Sequence, residues 1–404
     1  MKIAIFHDLP SGGAKRALHA FCRELSLRGH HLDVFIPETA NEIFLPLEPL
    51  VASVRVFPVI GSRRTTPDRP ATWTPLAWCM ANQCHRHIAQ AIDSRGYDLV
   101  FAHQARYPNI PDVLKYLRTP AVLYLQEPNR LLCEAPLLDT ADTEPRGIRT
   151  RLRHHPLIGP FLLALIHRKT NDKKNIRYAY SVLANSFFSR DSILRTYGLS
   201  STVVYLGVDT ELFRPMGLPR EQLVLSIGAA HPSKGHRFLI ESVGQIPADR
   251  RPKVMIVADR EKPGEKARLG KMAADRNIAL TIQSVPDTEL VTWYNRATAV
   301  AVVPYLEPFG FTPLEAMACE TPVVGIREGG IRESVVDGQT GFLVDRDPGA
   351  CAAALIRLLD DETLRVRMGR TGRSYVESQW TWAQAVDRIE HIFAKIHTEH
   401  RSIS

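Results

Sequence analysis

From Lys2 to Val344 short apolar runs alternate with longer amphipathic stretches, and this alternation limits the chain to few architectures. KIAIF, HLDVFI, YDLVFA, AVLYL, SVLA and TVVY are the apolar runs of the first half. LVLSIG, KVMIVA, ALTIQ, TAVAVV, TPVVG and GFLV follow in the second. Many are rich in β-branched residues and all have the length of buried strands. Helical patterns lie between them, among them Ala14 to Leu27, Ala77 to Ile92 and Lys266 to Arg276. Strand–helix alternation of this kind implies α/β domains with parallel sheets covered on both faces.

The alternation pauses at LGVDTELFRPMGLPR, residues 206–220, which carries Gly and Pro and no clear period. The reading is therefore a first domain over 1–205, a linker over 206–220 and a second domain over 221–379. A last helix over 380–404 is expected to pack back on the first domain. With 404 residues the chain has room for two such cores. Its 45% hydrophobic and 23% charged content excludes disorder, collagen and coiled coil.

The net charge of +8 favours anionic partners without choosing among them. Aromatic residues form no stacking stripe, so nucleic acid is not expected. The six cysteines are scattered, with no C-x-x-C pair, which reads as a reducing compartment and no zinc site. MKIAIFHDLP reads as a first strand rather than a signal peptide. The longest apolar run, Pro156 to Ile166, is about half a bilayer span. A cytoplasmic protein is expected, with the cytoplasmic face of a membrane as a second setting.

Doubly wound domains bind ligands beyond the carboxyl ends of their strands. The turns from strand to helix are thus the places to search. In HDLPSGGAKRAL, Gly12 and Gly13 would let the backbone approach a ligand, with a helix N-terminus offering N–H groups to an anion. A tight turn capped by Ser11 is the plainer account. Lys15 and Arg16 stand in the first helical turn, where the dipole disfavours cations, so they face either an anion or solvent. His103, directly after YDLVFA, is placed at a strand end facing the cleft, where imidazole could bond a hydroxyl.

In SIGAAHPSKGHRFLI, Gly228 ends a strand, and Lys234 and Gly235 open a helix with Ser233 as its cap. A lysine there makes an anion site, or is a surface residue of a capped helix. In VVPYLEPFGFTPLEAMACETPVVG a helix is expected to start near Thr312 with Pro313 at its first position. Thr312-x-x-Glu315 matches a capping box, which would account for Glu315 without a ligand. Glu307 has no such account. Two carboxylates flanking an anion-binding helix start could take separate hydroxyls of one ligand.

Glu307-x7-Glu315 within EPFGFTPLEAMACETPVVG, followed by GGIRE and DGQTGFLV, resembles the donor-site signature of retaining GT-B glycosyltransferases of family 4. ANSFFSRDSILRTYG, VVYLGVDTELFRP, SIGAAHPSKG and QSVPDTELVTWYNRATAVAVVP resemble further motifs of that family. Before about residue 180 the similarity rests on Gly12-Gly13, His103 and QEPNR. The resemblance implies two Rossmann-like doubly wound domains facing each other across a cleft. It implies a nucleotide-sugar donor, UDP-, GDP- or ADP-linked, held mainly by the second domain, with no metal and no cofactor.

In that view Lys234 pairs with the donor diphosphate and Glu307 contacts sugar hydroxyls. Backbone N–H groups of Phe309, Gly310, Phe311 and Thr312 hold sugar or diphosphate. Glu315 bonds the ribose, and the backbone near Val285 reads the base. Gly12, Gly13 and Gly228 lie along the diphosphate, and His103 contacts the sugar. The family commonly has Arg directly after the phosphate-loop glycine, where this chain has Ala229. Either His231 or Arg16 compensates, or Lys234 and N–H groups suffice.

The implied reaction is retaining hexosyl transfer, of the kind used in polysaccharide biosynthesis, to a glycan, lipid-linked or small-molecule acceptor. Domain closure would exclude water. From Arg146 to Arg177 nine Lys or Arg stand against one acid, Asp172. A core helix with solvated basic ends is the favoured reading of residues 146–177, over an amphipathic element making peripheral contact with anionic lipid. Alternatives on the same scaffold are a sugar-nucleotide epimerase and a non-catalytic nucleotide-sugar-binding protein.

Overall fold

A computed structural model describes residues 1–59, 75–105, 109–128 and 170–403. It divides into two compact units. The first takes the described residues up to Leu206 together with the chain from Ala385 onward, and the second holds Gly207–Gln384.

The first unit has a seven-stranded sheet: β1 (Lys2–Asp8), β2 (His31–Pro37), β3 (Ser53–Phe57), β4 (Leu99–Ala105), β5 (Ala121–Tyr124), β6 (Ser181–Ala184) and β7 (Thr202–Val203). Their order is β3-β2-β1-β4-β5-β6-β7. Every pairing is parallel, with Phe6 beside Phe35 and Ala102, and His103 beside Tyr124. The order reverses between β1 and β4, so the turn after β1 lies at the switch point. Helices α1 (Gly13–Leu27), α2 (Pro75–Asp93) and α3 (Phe187–Tyr197) follow β1, β3 and β6.

One face of this sheet is covered from both ends of the sequence. Phe21 of α1 packs edge-on against Phe101 and Tyr124, and Phe393 packs against the same Phe101 at 5.3 Å. Each such ring contributes about 1.5–3 kcal/mol on burial. Around Phe393 the rim is ionic: Arg28 pairs with Asp387 at 2.6 Å, and His30 lies 2.7 Å from Glu390.

The second unit has six parallel strands: β8 (Glu221–Ile227), β9 (Lys253–Val257), β10 (Leu280–Gln283), β11 (Ala297–Val302), β12 (Val323–Ile326) and β13 (Gly341–Val344). The order is β10-β9-β8-β11-β12-β13, so the turns after β8 and β11 meet at the switch point. The helices are α4 (His236–Gly244), α5 (Glu265–Ala274), α6 (Asp287–Arg296), α7 (Phe311–Ala318), α8 (Ile331–Ser334), α9 (Pro348–Asp360) and α10 (Glu362–Gln379). Ile240 and Val243 of α4 and Leu355 and Leu358 of α9 share one buried cluster with Val224, Ile256 and Val324 of the sheet. A final helix, α11 (Trp382–Ile403), starts in this unit and continues into the first.

One feature differs from the sequence reading. Strand β3, SVRVF, has no apolar run to announce it, because it is a sheet edge with Val56 59% exposed. The segment 206–220, read as the linker, is hydrogen-bonded to the second unit from Val208 to Met216. Val208 N–H donates to the Trp380 carbonyl at 2.8 Å, Arg373 donates to the carbonyls of Thr210 and Phe213, and Asn295 bonds both Met216 N–H and the Arg214 carbonyl. Among the described residues no helix is long and apolar enough to cross a membrane. The basic stretch expected over 146–177 lies outside the described residues up to residue 169.

Candidate functional site

Strand β8 ends at Ile227 and the chain turns at Gly228, with φ 147°. The buried His236 fixes that turn. Its Nε2 lies 3.2 Å from the Gly228 carbonyl and its Nδ1 3.3 Å from the Ser226 hydroxyl. A carbonyl only accepts, so Nε2 carries the proton and Nδ1 accepts. Burial holds the imidazole neutral, down to about 4.

Next comes a single 3-10 turn, Pro232–Lys234, capped by His231, whose Nδ1 accepts from Ser233 N–H at 3.2 Å. The helix cap is not Ser233, as expected, but Gly235. Gly235 has φ 71°, and a Cβ there would lie 1.9 Å from the Val303 carbonyl oxygen. The left-handed backbone and the crossing chain both require glycine. This close approach ties the turn after β8 to the turn after β11.

Lys234 leaves this junction to meet Glu307. Nζ lies 2.8 Å from Oε2, with the side chains 31% and 20% exposed. Glu307 follows Leu306, a non-glycine residue at φ 47°, a conformation that costs about 1–2 kcal/mol. The Glu307 carbonyl accepts from Gly330 N–H at 2.8 Å, and a Cβ on Gly329 would lie 2.3 Å from that carbonyl oxygen. The pair Gly329-Gly330, inside GGIRE, thus clamps the backbone that aims Glu307. Nothing in the motif's own sequence announces this role, since Glu307 lies over twenty residues before it.

Helix α7 begins at Phe311, two residues before the Pro313 expected at its first position, with Gly310 (φ 87°) as N-cap and no side-chain cap. Pro313 is therefore the third helical residue, and the Thr312–Glu315 capping box does not form. Its first-turn N–H groups carry the positive end of the helix dipole. Glu315, 6% exposed, instead accepts from the Tyr294 hydroxyl at 2.6 Å. The Phe309 ring is buried against Phe311 and Trp380, so only its backbone can serve a ligand. Val285 sits partly exposed in the loop after β10.

Ala229 contributes no charge to this edge. Burial and Lys262 lower the pKa of His231 at this edge below the ordinary 6.5.

At the first unit's switch point, Gly12 (φ 134°) is the N-cap of α1 and its carbonyl accepts from Arg16 N–H at 3.0 Å. Gly13 opens the helix and is exposed. Lys15 faces neither solvent nor an open anion site. It is wholly buried, bonded to Glu42, with Nζ 3.4 Å from His7 Nε2. His7 accepts from Leu9 N–H at Nδ1, which leaves its Nε2 proton for Glu42 at 2.9 Å. Burial would raise the Glu42 pKa, but His7, Leu47 N–H and Lys15 outweigh it and hold the carboxyl at about 2.

His103 is likewise displaced from its expected place. It lies within β4 rather than after it, 1% exposed, its ring 4.5 Å from Phe101 and 5.7 Å from Tyr124. Among the described residues neither ring nitrogen has a hydrogen-bond partner. Burial first, then His7 and Lys15, push its pKa well below 6.5. It is a neutral imidazole whose one donor and one acceptor find no partner among those residues.

The structure thus brings Lys234, Glu307 and the start of α7 together at one switch point, with Glu315 buried behind them. It places Gly12, Arg16 and His103 on the other unit's sheet edge.

A family model described as Glycosyltransferase Family 4 matches residues 11–212, and one described as Glycosyl transferases group 1 matches residues 209–375. A D-inositol 3-phosphate glycosyltransferase of Thermomonospora curvata is 26% identical over 95% of this chain and 90% of its own. D-inositol 3-phosphate glycosyltransferase 1 of Catenulispora acidiphila is 31% identical over 54% of this chain and 58% of its own. Several such relatives are matched over only about half of their length. Among solved structures, sucrose-phosphate synthase from Thermosynechococcus elongatus superposes with a TM-score of 0.74 at 20% identity, covering 98% of this chain and 99% of that one. Anabaena HepE in complex with UDP and glucose gives 0.70 at 19% identity, with coverage of 98% and 99%. With both family models matched in sequence order along it, the chain belongs to the family 4, group 1 glycosyltransferases and has their GT-B fold.

Proposed function

We propose that the protein is a retaining, metal-independent hexosyltransferase that moves a sugar from a UDP-linked donor to a hydroxyl of a small phosphorylated acceptor. The observation that carries the donor part is the Lys234–Glu307 pair beside the uncapped start of α7. A cation, a carboxylate and a helix N-terminus at one switch point suit a ligand with a diphosphate and a sugar. UDP is favoured because the solved HepE structures carry UDP or UDP-glucose. The phosphorylated acceptor is favoured by the D-inositol 3-phosphate relatives.

In the reaction the bond from the anomeric carbon to the diphosphate oxygen breaks and a bond to the acceptor oxygen forms. The acceptor proton passes to the departing phosphate on the same face of the sugar, which preserves anomeric configuration. Lys234 and the N–H groups of α7 stabilise the charge that builds on the diphosphate, usually the largest catalytic contribution. Glu307 takes sugar hydroxyls, Glu315 the ribose, and the Val285 backbone the base. Gly12, Gly13 and His103 stand at the first unit's own switch point, where backbone N–H groups and an imidazole suit an anion and a hydroxyl. Glu307 and Glu315 belong to one donor-binding edge, so a hydrolase-type pair across a scissile bond is not invoked.

The test is a thermal-shift screen with UDP-, GDP- and ADP-sugars, followed by turnover with inositol phosphates and sugar phosphates and NMR of the product anomer. Stabilisation by a UDP-sugar and a product with the donor's configuration are expected. Nucleoside diphosphate released without glycosylated product would remove the transferase. An inverted product would remove the retaining mechanism.

A further inference from the structure

The Tyr294–Glu315 contact lies behind the donor edge and is assigned by none of the roles above. An ionised carboxylate offers two oxygens. The Tyr294 hydroxyl donates to Oε2 at 2.6 Å, within the range of a charge-assisted bond. Both residues are nearly or wholly buried. Folding alone would be better served by an apolar residue at position 315, because a buried carboxylate is costly.

Tyr294 is itself held from two sides. Its ring meets Phe213 edge-on at 5.8 Å. Its carbonyl accepts from Arg220 Nη1 at 2.9 Å and from the Thr321 hydroxyl at 2.7 Å. The Arg220 guanidinium also donates to the carbonyls of Ala297, Cys319 and Glu320. One largely buried cation therefore joins the end of α6, which carries Tyr294, to the end of α7, which carries Glu315. Burial, then Glu315, keep the phenol protonated well above pH 10, so it stays a donor.

We propose that Tyr294 is a positioning residue that fixes the Glu315 carboxylate so that it presents an acceptor to a ribose hydroxyl of the nucleotide. This rests on the reading of Glu315 as the ribose contact. A carboxylate with its orientation set in advance loses less freedom when it takes up the ligand, so its removal is read as weaker binding. The Tyr294 hydroxyl also has the Thr312 side chain as a hydrogen-bond partner, so a loss carried through Glu315 is recognised by its dependence on the ribose hydroxyl that Glu315 takes.

The test uses the full chain and calorimetric titration. UDP, GDP and ADP are titrated first, and the tightest is taken forward with its 2′-deoxy and 3′-deoxy forms. Tyr294→Phe should weaken the parent nucleotide about tenfold. On one deoxy form the ratio of variant to wild type should fall to about one, and Glu315→Gln should lose its effect on that same form. A Tyr294→Phe loss that is absent, or equal on all three nucleotides, while Glu315→Gln remains hydroxyl-dependent, overturns this inference and leaves the ribose reading standing. A Glu315→Gln loss equal on all three overturns the ribose reading and this inference with it, as does failure of all three parent nucleotides to bind. If Tyr294→Phe accumulates poorly, the double variant with Glu315→Gln carries the comparison, since no buried carboxylate is left short of a partner. Its loss should equal that of Glu315→Gln alone, and a further separate loss overturns the positioning role.

Discussion

At the second unit's sheet edge Lys234 and Glu307 pair at 2.8 Å with side chains 31% and 20% exposed. At the first unit's, Lys15 pairs with Glu42 from a wholly buried position. The two pairs have the same chemistry and similarly exposed carboxylates, but the ammonium is part-exposed in one and wholly buried in the other. A pair within reach of solvent can exchange its carboxylate for a ligand's phosphate at little cost. A pair around a buried ammonium cannot, because the charge it leaves behind is desolvated. The Lys234 pair is thus suited to ligand exchange, and the Lys15 pair to holding the loop and strand around it.

The largest expected effect separates the pairs by stability. Lys15→Met leaves Glu42 without its ammonium and should cost about 3–5 kcal/mol in urea unfolding. Lys234→Ala should cost under about 1 kcal/mol, as for part-exposed pairs. Equal costs would end the distinction between them.

Activity should reverse the ranking. Lys234→Ala should lower turnover on the order of 10²–10³, the effect of losing one preorganised charge contact. Glu307→Gln sharpens this further, because it should abolish transfer yet release the ammonium from its pair. Nucleoside diphosphate should then bind more tightly than to wild type. Weaker binding of the diphosphate in that variant would mean that Glu307 orients Lys234 rather than competing for it.

Acid sensitivity compares the units through one buried histidine each. Burial holds His85 in the first and His236 in the second at about 4. The unfolded chain binds these protons near pH 6.5, so between about 6.5 and 4 it holds more protons than the folded one. Stability therefore rises with pH across that window and falls on acidification, by up to about 3 kcal/mol for each group. Glu42, at about 2, adds its own loss only at lower pH. Trp293, Trp380 and Trp382 belong to the second unit and, with Trp73 and Trp78 replaced by Phe, report it by fluorescence. His236→Gln should flatten their unfolding midpoint between pH 6.5 and 4, and His85→Gln should not. An unchanged slope in His236→Gln would mean that His236 is not held neutral.

The parallel sheets were legible because buried strands write themselves as β-branched runs, and β3 was not because an exposed edge alternates. Glu307 and Lys234 stood out as charges beside glycines. What failed was local capping logic: Ser233 and Thr312 fit the pattern, but positive φ at Gly235 and Gly310 took the cap positions. Lys15 was misjudged because its partner Glu42 lies 27 positions away. Tyr294 was invisible for the same reason: within DTELVTWYNR it is one more buried residue of an amphipathic helix, and only the fold brings it to Glu315.

The smallest expected effect concerns Ala229, where relatives of this class commonly carry Arg. The partly exposed methyl stands one residue after Gly228, whose own Cβ position would touch the Lys234 chain at 3.3 Å. Ala229→Arg therefore adds a guanidinium beside Lys234, and two forces oppose each other. Repulsion from Lys234 disfavours the free form, with Glu307 close enough to absorb much of it. A bidentate fork on the diphosphate favours the bound form. Because the position is part-exposed, screening trims both, and the net gain should be modest, about three- to tenfold in diphosphate affinity. The gain should shrink as salt rises, since it is ionic. Unchanged affinity and an unchanged salt slope would show that Lys234 and the α7 N–H groups already satisfy the diphosphate, so that alanine at 229 is a completed arrangement and not a missing contact.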